Sequence, residues 1–139
     1  MTKQFNYGDK SGPWNNEPNY LRGKYKEYNW VIKRTHIGIL CGYVLLPKGH
    51  KYYGEIEYNI PIEVHGGLTF AGEKGKYYWI GFDCAHSGDY IPSFQSPLIQ
   101  LIQSNTTYKN INFVKKEIKN MIDQLPSMII KEQKLVLEL

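Results

Sequence analysis

Hydrophobic and polar residues alternate over two short runs between Val64 and Asp89, and glycines separate the two runs. Alternation with a period of two is typical of a half-buried strand, so the pattern predicts a β-hairpin. A three-residue turn at Glu73 to Gly75 fits this hairpin, because Gly75 can take the left-handed conformation that follows a type I turn. The resulting register gathers six apolar side chains on one face: Val64, Leu68, Phe70, Tyr78, Ile80 and Phe82.

The opposite face of the predicted hairpin carries polar residues and glycines. Its cross-strand pairs are His65 with Asp83, Gly67 with Gly81, and Thr69 with Trp79. Two opposed glycines leave space for another backbone, a bulge or a bound ligand. We therefore expect a His/Asp pair beside a floor without side chains.

The rest of the chain predicts further strands and one main helix. Residues 30–46 form about two strands, either as a hairpin or as one bent strand, and residues 55–61 are expected to extend along a sheet edge. A helix is predicted from Thr107 to Leu125, with one short helical turn before it near residues 98–103. The apolar stripe of the main helix consists of Ile111, Val114, Ile118, Ile122 and Leu125.

These elements predict an α+β fold, with an antiparallel sheet of about four to six strands and one main C-terminal helix packed on one face. Residues 1–28 show no regular period and are expected to be an irregular segment packed on the domain, which itself spans residues 29–139. After Pro126, the apolar run M-I-I-K-E-Q-K-L-V-L-E-L fits a strand, a second helix or a subunit contact. A homo-oligomer is therefore one of the open alternatives.

Composition narrows the class of protein. With 139 residues, of which 42% are hydrophobic, the chain is long enough to bury a core as one domain. A net charge of +4 is compatible with an anionic ligand, but the cations form no stripe of the kind that binds duplex nucleic acid. Two cysteines in apolar runs indicate buried thiols and a reducing compartment. Without an apolar span or signal peptide, the sequence predicts a cytoplasmic protein and no membrane partner.

Groups suited to acid–base chemistry concentrate in the hairpin and in the loop after it. Asp83, His86 and Asp89 follow the spacing D-x-x-H-x-x-D, and His65 lies across the predicted hairpin. Histidine titrates near neutral pH and an aspartate fixes its tautomer, so these four residues are the catalytic set if the protein is an enzyme. Two other interpretations stay open, namely ligands of a transition ion or turn-capping aspartates. The preferred prediction includes no metal and no cofactor.

Other catalytic arrangements are less favoured. Cys84 lies two residues before His86, but alternation along a strand turns its thiol away from Asp83 and toward the core. The chain also lacks a Walker-type loop, a G-x-S-x-G elbow and a C-x-x-C pair. Phosphate-loop proteins, serine hydrolases and zinc ribbons are therefore disfavoured classes.

Four segments carry a family resemblance: L-C-G-Y-V at 40–44, G-H-K-Y-Y-G at 49–54, H-G-G-L-T-F at 65–70 and W-I-G-F-D-C-A-H-S-G-D at 79–89. They resemble a family of small, largely uncharacterised proteins from bacteriophages and bacteria. The helical run at 108–125 also resembles that family's usual ending, so the likeness covers roughly residues 38 to 125. The resemblance implies no catalytic residue. It implies a setting in which small phage accessory proteins modulate the host, including by neutralising antiviral nucleotide signals.

The preferred hypothesis is a phage-type accessory protein that binds a small, nucleotide-like anion in the cytoplasm of a bacterial host. Backbone N–H groups beside glycines would approach phosphate, and aromatic rings would stack on a base. The expected ligand-binding residues are His65, Gly66, Gly67, Thr69, Trp79, Gly81, Asp83, His86 and Gly88. Two alternatives remain: a hydrolase that degrades such a ligand by His/Asp acid–base chemistry, and an inhibitor that binds a host protein through an aromatic surface.

Overall fold

The fold is a five-stranded antiparallel sheet with two α-helices. The computed structural model describes residues 12–127. The strands are β1 (Tyr20–Tyr25), β2 (Tyr28–Arg34), β3 (Leu40–Pro47), β4 (Phe70–Lys74) and β5 (Tyr77–Asp83), and the helices are α1 (Pro97–Ile102) and α2 (Ile111–Asp123). The strands neighbour one another in the order β1-β2-β3-β5-β4, and every neighbouring pair is antiparallel. The predicted α+β class is confirmed.

Helix α2 covers one face of the sheet and contacts mainly β3 and β2. The predicted apolar stripe of this helix is buried, and Met121 joins it. These side chains pack on alternate residues of the central strands, which point the same way because strand side chains have a period of two. The strand residues of this core include Ile32, Leu40, Val44, Leu46, Ile80 and Phe82. The helix begins a few residues later than predicted, because Asn110 is its cap and accepts a hydrogen bond from the N–H of Phe113 at 2.8 Å.

Residues 20–25 correct the prediction that residues 1–28 are irregular. They form β1 and pair with β2 through a tight hairpin. Its turn consists of Lys26 and Glu27, whose φ values of 47° and 69° are unusual for residues other than glycine. Two positive φ values match the type I′ turn that suits a two-residue hairpin. Neither glycine nor asparagine marks this turn, so the sequence carries no signal for it.

The segment before β1 is tied to the domain by a buried ion pair and an aromatic contact. Trp14 is buried, and its ring stacks on that of Tyr90 with 5.4 Å between centroids. Glu17 lies 3.4 Å from the buried guanidinium of Arg34 and accepts a hydrogen bond from the N–H of Ile111 at 2.7 Å. A carboxylate suits this position, because the first N–H groups of a helix have no partner within the helix. The segment therefore fixes the end of the domain where α2 begins.

The hairpin of β4 and β5 forms, but its turn differs from the prediction. Lys74 pairs with Tyr77, so the turn has only two residues, Gly75 and Lys76. Gly75 has a φ of 63°, whereas Lys76 is not among the residues of positive φ. Glycine at the first central position with positive φ is the arrangement of a type II′ turn.

This turn shifts the register of the hairpin by three residues. Phe70 pairs with Gly81, and not with Tyr78. An odd shift reverses the faces of one strand, so Phe70 lies on the sheet face opposite α2 and is 43% exposed. Strand β5 keeps its predicted faces, because Tyr78, Ile80 and Phe82 are buried toward the helix.

Three smaller expectations have different outcomes. The extended edge predicted for residues 55–61 is wrong, because Glu57–Asn59 form a short 3-10 helix. The helical turn near residues 98–103 is confirmed as α1. Most of the apolar run after Pro126, residues 128–139, lies outside the described residues. Within residues 12–127, no helix combines the length and the apolar character needed to cross a membrane.

Candidate functional site

The structure brings the four predicted acid–base residues together where β5 ends. With Lys109 they form a set that we call the polar cluster: His65, Asp83, His86, Asp89 and Lys109. Asp83 is the last residue of β5, and His86 and Asp89 follow in the next loop. His65 comes from the loop before β4, and Lys109 from the residues before α2. The end of β5 and three nearby loops thus position these side chains.

Within the polar cluster, His65 pairs with Asp89. The Nε2 atom of His65 lies 2.9 and 2.8 Å from the two carboxylate oxygens of Asp89, whose side chain is fully buried. An ionised carboxylate only accepts hydrogen bonds, so a neutral His65 carries its proton on Nε2 and leaves Nδ1 as a base. The backbone N–H of His86 donates to the same carboxylate at 3.0 Å.

The second pair of the cluster is His86 with Asp83. The Nε2 atom of His86 lies 3.0 Å from Oδ1 of Asp83, although the angle is outside the range of a hydrogen bond. The rings of His65 and His86 meet edge to face with 5.9 Å between centroids. The predicted direct pairing of His65 with Asp83 is therefore wrong, because β4 begins only at Phe70 and His65 reaches the cluster from a loop.

Gly66 is the predicted site glycine that the cluster requires most directly. Its φ is 69°, a conformation that glycine adopts without steric cost. A Cβ atom at this position would lie 2.1 Å from Cδ2 of His86. The absence of a side chain at residue 66 therefore allows the imidazole of His86 to occupy its place.

The charges within the polar cluster nearly balance. Lys109 Nζ lies 3.3 Å from Oδ1 of Asp89 and also donates to the carbonyl of Gly88 at 3.4 Å. The ring of Phe113 meets the ring of His65 edge to face, with 5.1 Å between centroids. Two carboxylates face one ammonium and two imidazoles, so this arrangement is better suited to holding and moving protons than to attracting an anion.

Metal and thiol chemistry receive no geometric support in the described part of the chain. Among residues 12–127, no three or more histidine, cysteine, aspartate and glutamate side chains are arranged to hold a metal ion. Cys84 is 2% exposed, and burial, together with the nearby Asp89, raises the pKa of its thiol. A nucleophilic thiol needs a lowered pKa, so Cys84 is a core residue.

A second candidate site lies on the face of the sheet opposite α2, which we call the open face. Here Lys33 of β2 and Lys74 of β4 converge on Trp79 of β5. Their Nζ atoms lie 5.0 and 4.9 Å from the ring centroid of Trp79. Cation–π attraction to the indole stabilises each ammonium group at these distances.

The two lysines are close enough to affect one another. The pKa of Lys33 is lowered, first because its ammonium contacts that of Lys74 and then because it is partly buried. No carboxylate among residues 12–127 lies within ion-pair distance of either lysine. Two adjacent like charges disfavour one another, and an anion bound to both would relieve this repulsion.

A cavity of about 530 Å³ adjoins Trp79 on the open face. Its volume is within the range of small-molecule sites. Arg22 and Lys24 of β1 supply positive charge, Asn29 supplies an amide, and no acidic residue belongs to the lining. The complete lining is Tyr20, Arg22, Gly23, Lys24, Asn29, Trp30, Val31, Leu45, Tyr77 and Trp79.

The predicted glycine floor is absent. Gly81 lies opposite Phe70 on one side and Tyr43 on the other, and the two rings meet edge to face with 5.7 Å between centroids. A Cβ atom at Gly81 would lie 2.5 Å from the Tyr43 ring and 2.6 Å from the carbonyl oxygen of Gly42. The space beside Gly81 is therefore already filled by protein, and Gly67 is not its partner.

The remaining predicted ligand-binding residues are divided between the polar cluster and the open face. Thr69 lies beside the open face, where its N–H donates to the carbonyl of Gly81 at 2.9 Å. Gly67 and Gly88 have positive φ values of 79° and 91° and lie near the polar cluster in the chain. The N–H of Gly67 already donates to the carbonyl of Val64 at 2.8 Å, which corrects the expectation that it faces phosphate. Trp79 is thus the predicted residue that lies at the centre of the open face.

Several residues of these sites are missing from the sequence prediction. Lys109 belongs to the polar cluster, while Lys33, Lys74 and Tyr43 belong to the open face. Strict alternation along β2 would have placed Lys33 on the open face. Lys74 was not predicted to lie on the open face, because the predicted three-residue turn makes it a loop residue. In the structure it is the last residue of β4.

Comparison of the chain with models of protein families, with curated proteins and with solved structures gave no match. The functional conclusion therefore depends on the geometry of the polar cluster and the open face. These two sites differ in charge, since the cluster is nearly balanced and the open face is cationic.

Proposed function

We propose that the protein binds a small, nucleotide-like anion on its open face. The observation that carries this proposal is the convergence of Lys33 and Lys74 on Trp79. Two ammonium groups without a carboxylate partner in the described residues attract a group with more than one negative charge, such as a phosphate. A phosphate held between them would also favour the charged form of Lys33.

The cavity beside Trp79 supports an aromatic base as the second part of the proposed ligand. A nucleotide combines a phosphate with a flat aromatic base, and the rings of Tyr77 and Trp79 offer surfaces on which a base can stack. The amide of Asn29 can both donate to and accept from a base edge. The preference for a nucleotide over a simple anion therefore follows from aromatic and amide groups adjoining the cations.

The resemblance to phage proteins supplies the proposed setting. In that setting the chain is a phage-type accessory protein that acts in the cytoplasm of the infected host and sequesters a nucleotide signal of antiviral defence. The open face supports binding of a nucleotide of any origin. The antiviral role is the part of the proposal that depends on the resemblance.

Calorimetric titration with adenosine, AMP and ATP tests the binding proposal. We expect affinity to rise from adenosine to ATP, because each phosphate adds charge at Lys33 and Lys74. Lys33→Met and Lys74→Met keep much of each side chain's length but remove its charge, and each should weaken ATP binding by at least about tenfold, the value of one charge-assisted hydrogen bond. Lys76→Met, in the exposed turn of the same hairpin, is the matched control and should bind normally. No binding of ATP, or equal losses in all three variants, would overturn the proposal.

A second candidate function is hydrolysis of the bound ligand by acid–base chemistry at the polar cluster. It is favoured by the contact between His65 and the buried carboxylate of Asp89, which fixes the tautomer of His65. Asp83 connects the two sites, because it lies on the open face, in the same cross-strand row as Cys41 and Lys33, and its Oδ1 atom is 3.0 Å from Nε2 of His86. Asp83 lies four positions after Trp79 on β5, a distance of about 13 Å along a strand.

Mass spectrometry of the ligand before and after incubation distinguishes binding from hydrolysis. Hydrolysis predicts a product that the wild-type protein forms, that His65→Ala does not form, and that Lys74→Met forms more slowly because it binds less ligand. Recovery of unchanged ligand from all three proteins would remove the second candidate and leave the binding proposal intact.

A further inference from the structure

The aromatic surface of the open face continues beyond the cavity. Tyr43 and Phe70 are not part of the cavity lining. The ring of Tyr43 contacts those of Phe70 and Trp79, with centroid distances of 5.7 and 5.5 Å. Phe70 is 43% exposed. A second ring surface therefore adjoins the cavity at the edge of the sheet formed by β4.

The cations of the open face occur at two separate positions. Lys33 and Lys74 lie over the ring of Trp79, next to the cavity and to the second ring surface formed by Tyr43 and Phe70. Lys24 belongs to the same cross-strand row as Trp79, but it lies on β1, three strands away from β5. At about 4.8 Å per strand, these two positions are about 14 Å apart. Arg22 lies beside Lys24 on the same face of β1. The Nζ atom of Lys24 is also 3.6 Å from the carboxylate of Glu27, so the positive charge on this side of the cavity comes mainly from Arg22.

Building on the proposed function, we infer that the occupant of the open face is a single-stranded nucleic acid, of which the nucleotide in the cavity is one unit. One backbone phosphate lies at Lys33 and Lys74, and another at Arg22 and Lys24. The base in the cavity stacks beside Trp79, and the next base reaches Tyr43 and Phe70. Alternation of stacking rings with cations along a groove is the general chemistry by which proteins bind single strands without reading their sequence.

A duplex does not fit the same surface. Its bases are stacked on one another and paired, so their ring faces cannot reach Tyr43, Phe70 or Trp79. The major groove admits a helix or a two-stranded ribbon, whereas the open face is five strands wide. The aromatic rings would therefore contribute nothing to binding a duplex.

Fluorescence anisotropy with a labelled single strand of about eight deoxyadenylates, compared with deoxyadenylate monomer, tests this inference. We expect the oligonucleotide to bind at least about tenfold more tightly than the monomer, since it adds one stacked base and one phosphate position. With two backbone phosphates neutralised, one by Lys33 and Lys74 and one by Arg22 and Lys24, the slope of log affinity against log salt should be about −1.4.

The variant Phe70→Ala separates this inference from the proposed function. It should weaken oligonucleotide binding by about tenfold and leave the monomer unaffected, because Phe70 lies outside the cavity. Tyr58→Ala is the control, since Tyr58 is an exposed aromatic residue that belongs to no strand. If the monomer binds but the oligonucleotide binds no tighter, or Phe70→Ala has no effect, the inference falls and the proposed function stands. If neither binds, both fall, and equal affinity for a duplex would also overturn the inference.

Discussion

The imidazole of His65 and the carboxylate of Asp89 are joined by two short contacts, 2.9 and 2.8 Å from Nε2 to the carboxylate oxygens. Asp89 belongs to the loop after β5 and His65 to the loop before β4, so the contact closes one end of the hairpin. Because the side chain of Asp89 is fully buried, its carboxylate needs these hydrogen-bonding partners to offset the cost of removing it from water. This pair therefore combines a structural role with the geometry of an acid–base site.

The first prediction concerns the stability that Asp89 contributes. Asp89→Ala removes the carboxylate that His65, Lys109 and the N–H of His86 share, and leaves two partly buried side chains and one backbone donor without this acceptor. We expect a loss of about 3–5 kcal/mol in the free energy of unfolding, measured by urea titration. Asp83→Ala breaks a more exposed pair with His86 and should cost only about 1 kcal/mol. Equal losses in the two variants would contradict the structural role of Asp89.

The meeting of three residues of the polar cluster could be predicted, because these three are close in the sequence. His86 and Asp89 follow Asp83 within six residues, so any strand that ends at Asp83 brings the three together. The partners within the cluster were not predictable, because pairing depends on where the loop before β4 folds back. That loop continues until β4 begins at Phe70, so His65 is a loop residue and not a strand partner of Asp83. Its side chain meets Asp89 instead.

The register of the hairpin could not be decided from the sequence, because Gly75 fits two turns. A three-residue turn uses it as the last residue, and a two-residue turn uses it as the first. The shift between them moves Phe70 from the core to the open face and makes Lys74 a strand residue. The amphipathic helix α2 was predictable because its apolar stripe admits only one buried face.

A second prediction tests the observed turn. Gly75 has a φ of 63°, and a Cβ atom there would meet no atom within 4 Å. Gly75→Ala should therefore destabilise the protein through backbone conformation alone, by about 1–2 kcal/mol. Lys76→Ala, at the second turn position, should change stability by less than about 0.5 kcal/mol. Thermal unfolding of the two variants makes the comparison, and a larger loss for Lys76→Ala would argue against this turn.

A third prediction is the pH dependence of anion binding on the open face. Contact with Lys74 and partial burial lower the pKa of Lys33 below its ordinary value of 10.5. The proton is therefore lost at a lower pH than from a free lysine, and ATP affinity should fall as pH rises through that lowered pKa. Calorimetry across the alkaline range would show this fall in the wild type, and a weaker but flatter dependence in Lys33→Met. An affinity that rises with pH in the wild type would refute the role of Lys33.

A fourth prediction concerns stability in alkali. Burial raises the pKa of the Cys41 thiol from 9.0 to about 11 and that of Tyr28 from 10.0 to about 12. The fold favours the neutral forms, so their stabilisation is complete below the unfolded pKa values and is lost progressively as pH rises from the unfolded to the folded pKa values. We expect the free energy of unfolding to begin to decline near pH 9.0, the ordinary pKa of a thiol, before the tyrosines make their main contribution near pH 10.0. Replacing both buried cysteines by valine should remove this first part of the decline. Persistence of the decline in that variant would assign it to other groups.

The last prediction compares two adjacent glycines, to test whether Gly66 sets the position of the His86 ring. Gly66 and Gly67 have similar positive φ values, 69° and 79°, so substitution by alanine imposes a similar backbone cost on each, about 1–2 kcal/mol. They differ in surroundings, because a Cβ atom at Gly66 would lie 2.1 Å from the ring of His86, whereas one at Gly67 would meet no atom within 4 Å. Gly66→Ala should therefore displace the imidazole from Asp83 and shift the His86 ring resonances in NMR spectra, while Gly67→Ala should leave these resonances unchanged. If the cluster hydrolyses the ligand, Gly66→Ala should also lose turnover and keep ligand binding, since the open face is not touched. Identical His86 ring resonances in the two variants would show that Gly66 does not position this ring, and would remove His86 from the proposed acid–base set.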